Sequence, residues 1–332
     1  MSITSLRIGV AGATGYAGQE LVRLVVRHPR ARLTVAMAST ASERVHSLSV
    51  PSHLWNGSIS ALSIERLTTE ADAVFLALPD DTAAEVAPQL IRNGVRVFDL
   101  SGAFRLRNVE QRNLWYPKTP NTATESVAYG LAEHNSEAIR GAQLIACAGC
   151  YPTAALLALQ PLVKADLLNG DIIIDAKSGI SGAGKTPSER THFSECYGNV
   201  AAYAIFAHRH TAEIEQELSH PVTFVPHLVP LHRGILETIY VHLKRGVSEQ
   251  DIARELQRTY TGKPFVRLTG NMLPEIKHVA HTNFCEIGWK VDKAGERLIL
   301  VACLDNLVKG AAGQAIQNFN VAFGFDEREG LT

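Results

Sequence analysis

Leu6–Ala11 is a short apolar run that stops at Gly12-Ala13-Thr14-Gly15-Tyr16-Ala17-Gly18 and passes directly into a helical pattern, Ala17–Val26. A strand, a glycine-rich turn and a helix in that order constrain the chain more than anything else in it. Glycines at this spacing let the backbone turn sharply and approach a pyrophosphate, whose charge settles on the N–H groups of the helix start. The spacing is G-x-x-G-x-x-G, a variant of the commoner dinucleotide fingerprint. Its position between strand and helix is what gives it weight. Contacts to a dinucleotide are expected from Gly12, Thr14, Gly15, Tyr16 and Gly18.

The pattern repeats through the first half. Arg32–Ala38, Ala73–Leu78, Arg96–Leu100 and Leu144–Cys147 read as buried strands, short and bounded by turn residues. Thr82–Asn93 reads as a helix kinked by Pro88 and ended by Gly94. Strands alternating with helices predict a parallel sheet with right-handed crossovers. The end of the second strand bears on the cofactor. An NAD site places Asp or Glu there for the ribose 2′-hydroxyl, whereas this chain has Ser39, Thr40 and Ser42 followed by Arg44. Hydroxyls with a guanidinium suit a 2′-phosphate, so NADP(H) is favoured over a merely solvated loop.

Beyond about residue 146 the strands cluster with fewer helices between them: Ile172–Lys177, Val222–Val225, Ile235–Leu243, Phe284–Lys290 and Leu298–Ala302. This predicts an α+β domain with a mixed sheet. Ser248–Tyr260 reads as a helix opened by a Ser248/Asp251 capping box, and Leu307–Phe323 as a closing helix. Two domains fit a chain of 332 residues. A formal net charge of −1 gives no reason to expect nucleic acid or an anionic membrane as partner. No apolar run approaches the ~18 residues that span a bilayer, and Met1 to Arg7 lack the features of a secretion signal. Five cysteines, an odd and sparse set, argue for a reducing cytoplasm rather than a disulfide framework. Cys147 and Cys150 have C-x-x-C spacing, but no second such pair exists, so no metal site is expected.

Gly149-Cys150-Tyr151-Pro152-Thr153 follows the Leu144–Cys147 strand, with Ala154–Leu159 continuing as helix. Pro152 lacks the N–H that a first helical turn leaves unpaired, so it starts a helix well. Cys150 then faces the positive end of the macrodipole. A free thiol with a pKa of about 8.5 is mostly protonated at neutral pH, and a helix start or nearby cation lowers it enough to favour the thiolate. Cys147, inside the apolar run, reads as a small buried hydrophobe. Cys150, on the turn, reads as a nucleophile.

A nucleophilic thiol needs a partner for its proton, and histidine serves near pH 7. His208-Arg209-His210 stands out among 13 histidines because two imidazoles flank a guanidinium just before the Ala212–Leu218 helix. The sequence does not tell which of the two faces the cysteine. Two segments offer anion sites. Ser178-Gly179-Ile180-Ser181-Gly182-Ala183-Gly184-Lys185 supplies backbone N–H groups and an ammonium, without the frame of a P-loop. Asp99–Arg105 ends a strand of the parallel sheet, where ligands gather, which makes Arg105 either an oxyanion clamp or a surface ion-pair partner.

Taken together these residues resemble N-acetyl-gamma-glutamyl-phosphate reductase, the arginine-pathway family related to aspartate-semialdehyde dehydrogenases. The matching pieces are Gly12–Gly18, Asp99–Arg105 with Leu106, Tyr129-Gly130-Leu131, Gly149–Thr153, Ser178–Gly184, His208–His210 with Glu213-Ile214, Arg233-Gly234-Ile235 and Asp305–Gly310. They run in family order over nearly the whole chain. Two departures stand out: Ala148 where the family usually has Pro before Gly-Cys, and Ala132 where it often has Pro. Neither removes a reacting group. The resemblance implies an N-terminal Rossmann-type parallel-sheet domain (1–146 plus 306–332) for NADP(H), and a glyceraldehyde-phosphate-dehydrogenase-like mixed-sheet domain (147–305) for catalysis and oligomerisation.

It further implies Cys150 as nucleophile and His208 or His210 as acid/base, with His208 preferred. Gly182 and Asn306 are implied as cofactor contacts, and Arg105, Ser178, Gly179, Lys185 and Glu133 as substrate contacts. The implied partners are a small acyl phosphate, the semialdehyde and phosphate, acting in a homodimer or homotetramer. The implied reaction is NADPH-dependent reduction of N-acetyl-glutamyl 5-phosphate through a cysteine thioester. A sister reductase for aspartyl phosphate or a carrier-bound substrate is the nearest rival. A nucleotide sensor without chemistry is another, and it leaves Cys150 and the histidine pair unexplained.

Overall fold

The computed structural model describes residues 5–38, 55–120 and 127–332. Two compact units make up the chain: Met1–Ala148 with Ala311–Thr332, and Gly149–Gly310.

The first unit is built on strands β1 (Leu6–Ala11), β2 (Ala31–Ala38), β3 (Ile59–Ala61), β4 (Ala73–Leu76), β5 (Arg96–Asp99), β6 (Val127–Gly130) and β7 (Leu144–Cys147). They lie in the order β3-β2-β1-β4-β5-β7-β6, and every pairing is parallel. A parallel sheet is covered on both faces, which is why these runs are apolar throughout rather than alternating. Strand β4 ends at Leu76, two residues short of the expected Ala73–Leu78. Pro79 caps the helix Asp80–Arg92, whose first turn carries Asp80 and Asp81 against the positive dipole end, so Ala77 and Leu78 are spent on the turn. That helix also starts earlier than the expected Thr82, while Gly94 ends it with φ +79°.

One face of this sheet centres on three rings. Phe75 and Phe98 lie 5.1 Å apart, and Phe319 lies 5.9 Å from each. Phe319 belongs to the C-terminal helix Gly313–Phe323, and burying such a ring is worth about 1.5–3 kcal/mol. The end of the chain therefore completes the core of the first unit. The same helix buries amides as well. Asn318 Nδ2 donates to Gly130 O (2.9 Å) and Gln317 Nε2 to Glu133 Oε1 (2.8 Å).

The second unit contains β8 (Leu168–Gly179), β9 (Ala201–Ala202), β10 (Val222–Val229), β11 (Ile235–Leu243), β12 (Val266–Gly270), β13 (Cys285–Val291) and β14 (Arg297–Leu304). Their order is β12-β13-β14-β11-β8-β10-β9. Strand β8 pairs parallel with β10 and antiparallel with β11, so the sheet is mixed, as expected. The helix Cys150–Lys164 packs on its inner face and is buried along nearly its whole length. Being apolar all round, it gives no amphipathic period, which is why the sequence suggests only Ala154–Leu159 beyond the turn. The helix Glu249–Tyr260 opens with the expected Ser248/Asp251 capping box.

The closing helix differs from the expected single run Leu307–Phe323. It begins as a π turn, Val308–Ala312, before becoming α-helical at Gly313. Asp305 sets this up. Its Oδ1 accepts the N–H groups of Leu307 (2.8 Å) and Val308 (3.1 Å), while Gly310 N–H reaches back five residues to Asp305 O (2.8 Å).

Candidate active site

The glycine turn meets the demands of a dinucleotide phosphate. Gly12 has φ +85°, and a β-carbon on it would lie 2.1 Å from Ala77 O. A β-carbon on Gly18 would lie 2.1 Å from Gly12 O. Both glycines are dictated by the protein's own packing. Gly15 is not: a β-carbon there meets only Gly12 O, at 3.5 Å. It caps the helix Tyr16–Val25, whose N-terminus carries no side-chain cap and no acidic residue in its first turn. Glycine at this position keeps a bare helix start open, which fits a pyrophosphate. Thr14 is tied back by its carbonyl to Gln19 Nε2 (2.9 Å), and Tyr16 is the first helical residue. Ser39, Thr40 and Arg44 lie outside the described residues.

Two other expected ligand contacts of the first unit are held internally. Arg105 is buried, with Nε donating to Cys147 O (2.9 Å) and Nη2 to Leu100 O (2.7 Å). It clasps the carboxyl ends of β5 and β7 and is not a surface ion-pair residue. Glu133 is buried against Gln317 in a helix-to-helix contact.

In the second unit, Cys150 is the first residue of its helix, with Gly149 as N-cap and no acidic residue in the first turn. Cys150 stands at the helix N-terminus as expected, but the helix starts two residues before Pro152, which falls third in it rather than opening it. Tyr151 follows, and its ring meets both His208 and His210 edge-on, at 5.9 Å each. The two imidazoles are 4.8 Å apart, and Tyr203 and Phe224 close the cage around His208 at 5.6 and 5.4 Å. The Tyr151 hydroxyl donates to His227 O (3.3 Å), lies 3.4 Å from the Tyr203 hydroxyl and interacts with the Ser178 side chain. Burial pushes the phenols of Tyr151 and Tyr203 upward, so both stay protonated.

His208 is the N-cap of the helix Arg209–Leu218, and its Nδ1 accepts the His210 N–H at 3.1 Å. An acceptor Nδ1 leaves the ring proton on Nε2. Burial, assisted by the Arg209 charge, pulls the imidazole down to about 4.

The glycine-rich loop after β8 lies against Leu231–Gly234. Gly179 N–H donates to Gly234 O (2.9 Å), Ile180 N–H to Leu231 O (2.8 Å) and Ser181 N–H to His232 O (3.1 Å). A β-carbon on Gly179 would sit 2.8 Å from the Arg233 backbone, and one on Gly182 would sit 2.9 Å from Ser178 Oγ. Asn306 stitches the two segments, its Oδ1 accepting Gly234 N–H (2.7 Å) and its Nδ2 donating to Ser181 Oγ (3.0 Å). The Asn306 amide thus serves the loop itself, while Lys185 stands exposed beyond it. Cys150, Tyr151, both histidines and Ser178 are gathered in one neighbourhood.

Residues 7–142 match the family described as "Semialdehyde dehydrogenase, NAD binding domain", and residues 150–306 match "Semialdehyde dehydrogenase, dimerisation domain". The N-acetyl-gamma-glutamyl-phosphate reductase of Geobacillus stearothermophilus is 44% identical over 340 residues, with 98% of each chain covered. That of Desulforudis audaxviator is 44% identical over 341 residues, again with 98% of each covered. This chain belongs to the N-acetyl-gamma-glutamyl-phosphate reductase family. The fold extends further than the family. Aspartate semialdehyde dehydrogenase II of Vibrio cholerae gives a TM-score of 0.75 at 18% identity, covering 97% of this chain and 99% of that one. The enzyme of Candida albicans, solved with NADP, gives 0.73 at 17% identity, covering 96% and 98%.

Against that reductase framework, sequence reasoning passes over three residues of the site. Gly310 is one: a β-carbon there would lie 2.7 Å from Cys150 Cβ, so only glycine leaves the cysteine in place. Tyr203 carries no local motif, and only the cage around His208 reveals it. Glu213 sits in the matched motif without a role, yet its buried carboxylate reaches the cysteine turn: Gly149 N–H donates to its Oε1 at 2.8 Å. Ala148 is the position where the family usually has Pro. Its N–H, which Pro would lack, donates to Gly130 O (3.2 Å), a bond that steadies the turn in place of a ring.

Proposed function

We propose that this protein reduces N-acetyl-L-glutamyl 5-phosphate to N-acetyl-L-glutamate 5-semialdehyde, releasing phosphate and consuming NADPH, in arginine biosynthesis. The observation that carries the reading is Cys150 at an uncapped helix start beside a caged histidine pair, in a chain matching these reductases end to end. The Cys150 thiolate attacks the acyl carbon, the carbon–oxygen bond to phosphate breaks, and the substrate is held as a thioester. The first-turn N–H groups favour the anionic sulfur. When bound against Gly12, Gly15 and Gly18, NADPH supplies the hydride. The thiohemiacetal then loses its carbon–sulfur bond, and the aldehyde leaves as the cysteine is regenerated. An NADP rather than NAD site is supported by Ser39, Thr40 and Arg44 in the sequence.

The histidines divide the proton work. Burial and the Arg209 charge keep the His208 imidazole neutral at pH 7, so His208 makes a poor proton carrier. Neutral, with its proton on Nε2, it suits a hydrogen-bond donor to the oxygen of the tetrahedral adducts. His210 is then the acid/base, which reverses the preference drawn from sequence. Ser178, whose side chain meets the Tyr151 hydroxyl, and Lys185 are suited to the substrate's charged groups, while Gly179, its N–H given to Gly234 O, shapes the turn between them. Gly182 and Asn306 fix that loop.

The thiol chemistry suits a reducing cytoplasm, and among the described residues no helix is long and apolar enough to cross a membrane. A homodimer or homotetramer is supported by the match of 150–306 to a dimerisation domain and by the open outer face of the second sheet, where Ile173 and Tyr240 are 41% and 40% exposed. The reaction is tested in reverse, by phosphate-dependent NADP reduction with the semialdehyde. Cys150→Ser is expected to abolish turnover while NADPH still quenches tryptophan fluorescence with wild-type affinity. A Ser variant with wild-type turnover would sink the thioester.

A further inference from the structure

Glu213 and His210 are three residues apart on the helix Arg209–Leu218, which places them on one face. Both are buried, at 1% and 7% exposure, while Arg209 is exposed. The Glu213 carboxylate is bonded to the residue that launches the nucleophile: Gly149 N–H donates to Oε1 at 2.8 Å. The other end of Gly149 is held too, because its carbonyl accepts Thr153 N–H and Thr153 Oγ1, each at 2.8 Å. Gly149 has no side chain with which to cap its own helix. Its carbonyl is held by its own helix, and its amide is held from another helix, by Glu213.

We infer that Glu213 is a positioning residue that couples the histidine helix to the cysteine turn, so that the Cys150 sulfur and the imidazoles keep one mutual geometry. This rests on the reading of Cys150 as nucleophile. The Glu213 carboxylate meets the backbone of the cysteine turn, where a fixed acceptor sets orientation. What it contributes is aim, and a displacement of about 1 Å at a reacting atom costs on the order of a hundredfold in rate.

Two variants and two readouts test this. Glu213→Ala removes the acceptor, while Glu213→Gln keeps an amide oxygen for the Gly149 N–H. The readouts are kcat with KM for NADPH, and the rate of Cys150 alkylation by iodoacetamide from pH 6 to 9. Glu213→Ala is expected to lower kcat by about a hundredfold with KM for NADPH changed less than about twofold, and to alter the pH profile of alkylation. Glu213→Gln is expected to recover kcat to within about tenfold of wild type. A folded Ala variant with wild-type kcat and alkylation profile overturns the inference. So does a folded Gln variant as impaired as Ala, which also decides the matter if Ala fails to fold. A wild-type Cys150 that alkylates no faster than Cys196 would instead overturn the nucleophile reading itself.

Discussion

Burial pushes the Cys147 thiol up to about 12, against the opposing pull of the Asn318 amide, so it stays protonated and inert at neutral pH. Cys150, three residues on, is only partly buried and opens a helix. The sequence separates the two by context, since one lies within an apolar strand and the other on the turn after it. It offers no such contrast for the histidines, because the two differ only in which imidazole caps the helix. His208→Asn separates cap from chemistry, since Asn caps a helix as well as any residue. It is expected to lower kcat by about 10²–10³ while leaving the ionisations of the pH–rate profile in place. His210→Asn is expected to remove one limb of that profile. A His208→Asn profile lacking the limb would reverse the assignment. Stability gives a second reading. A histidine depressed in the folded state stabilises fully above its ordinary 6.5, and that stabilisation is lost as pH falls toward 4. The Asn variant should lose less stability across that window, measured as the urea midpoint at pH 7 and pH 4.5.

Strand β11 shows what sequence patterning conceals. Ile235, Ile239 and Val241 alternate inward as a half-buried strand requires, and Glu237 occupies the same inward face, fully buried. It pairs across to Ala176 on one side and Ala302 on the other, small residues that leave it room. Neither carboxyl oxygen finds a partner among the described residues, and burial raises the group well above the usual carboxylate range. An acid so raised gives its full contribution to stability only below about 4.5, and that contribution is lost as pH climbs through the folded value. Glu237→Met is expected to stabilise the fold at pH 8 by about 1–3 kcal/mol and to flatten this pH dependence. Urea midpoints at pH 5 and pH 8 check it, and an unchanged difference between them contradicts it. The regular strands and the Ser248 cap were legible because period and capping chemistry are local. The length of the Cys150–Lys164 helix, the π turn at Val308 and the purpose of Glu213 were not, since each depends on neighbours far away in sequence. The internal bonds of Glu133 and Arg105, to Gln317 and to two backbone carbonyls, were hidden for the same reason, since those partners are remote in sequence.

At the scale of the whole molecule, period and composition point to two domains but give no sign that the C-terminal helix belongs with the first. Only the resemblance implies it, and Phe319 among Phe75 and Phe98 supplies the physical reason. Association is the other property of the whole. If the open face of the second sheet carries the subunit contact, Tyr240→Asp should yield a monomer by sedimentation equilibrium at concentrations where the wild type is larger. A wild-type mass for this variant would place the contact elsewhere. The second unit also begins at Gly149 and ends at Gly310, and Gly310 rests against the β-carbon of Cys150. A stretch of chain whose two ends lie beside each other is a cassette. Such a stretch leaves and rejoins a chain at closely spaced points, and Cys150 stays with it, one residue inside its first end.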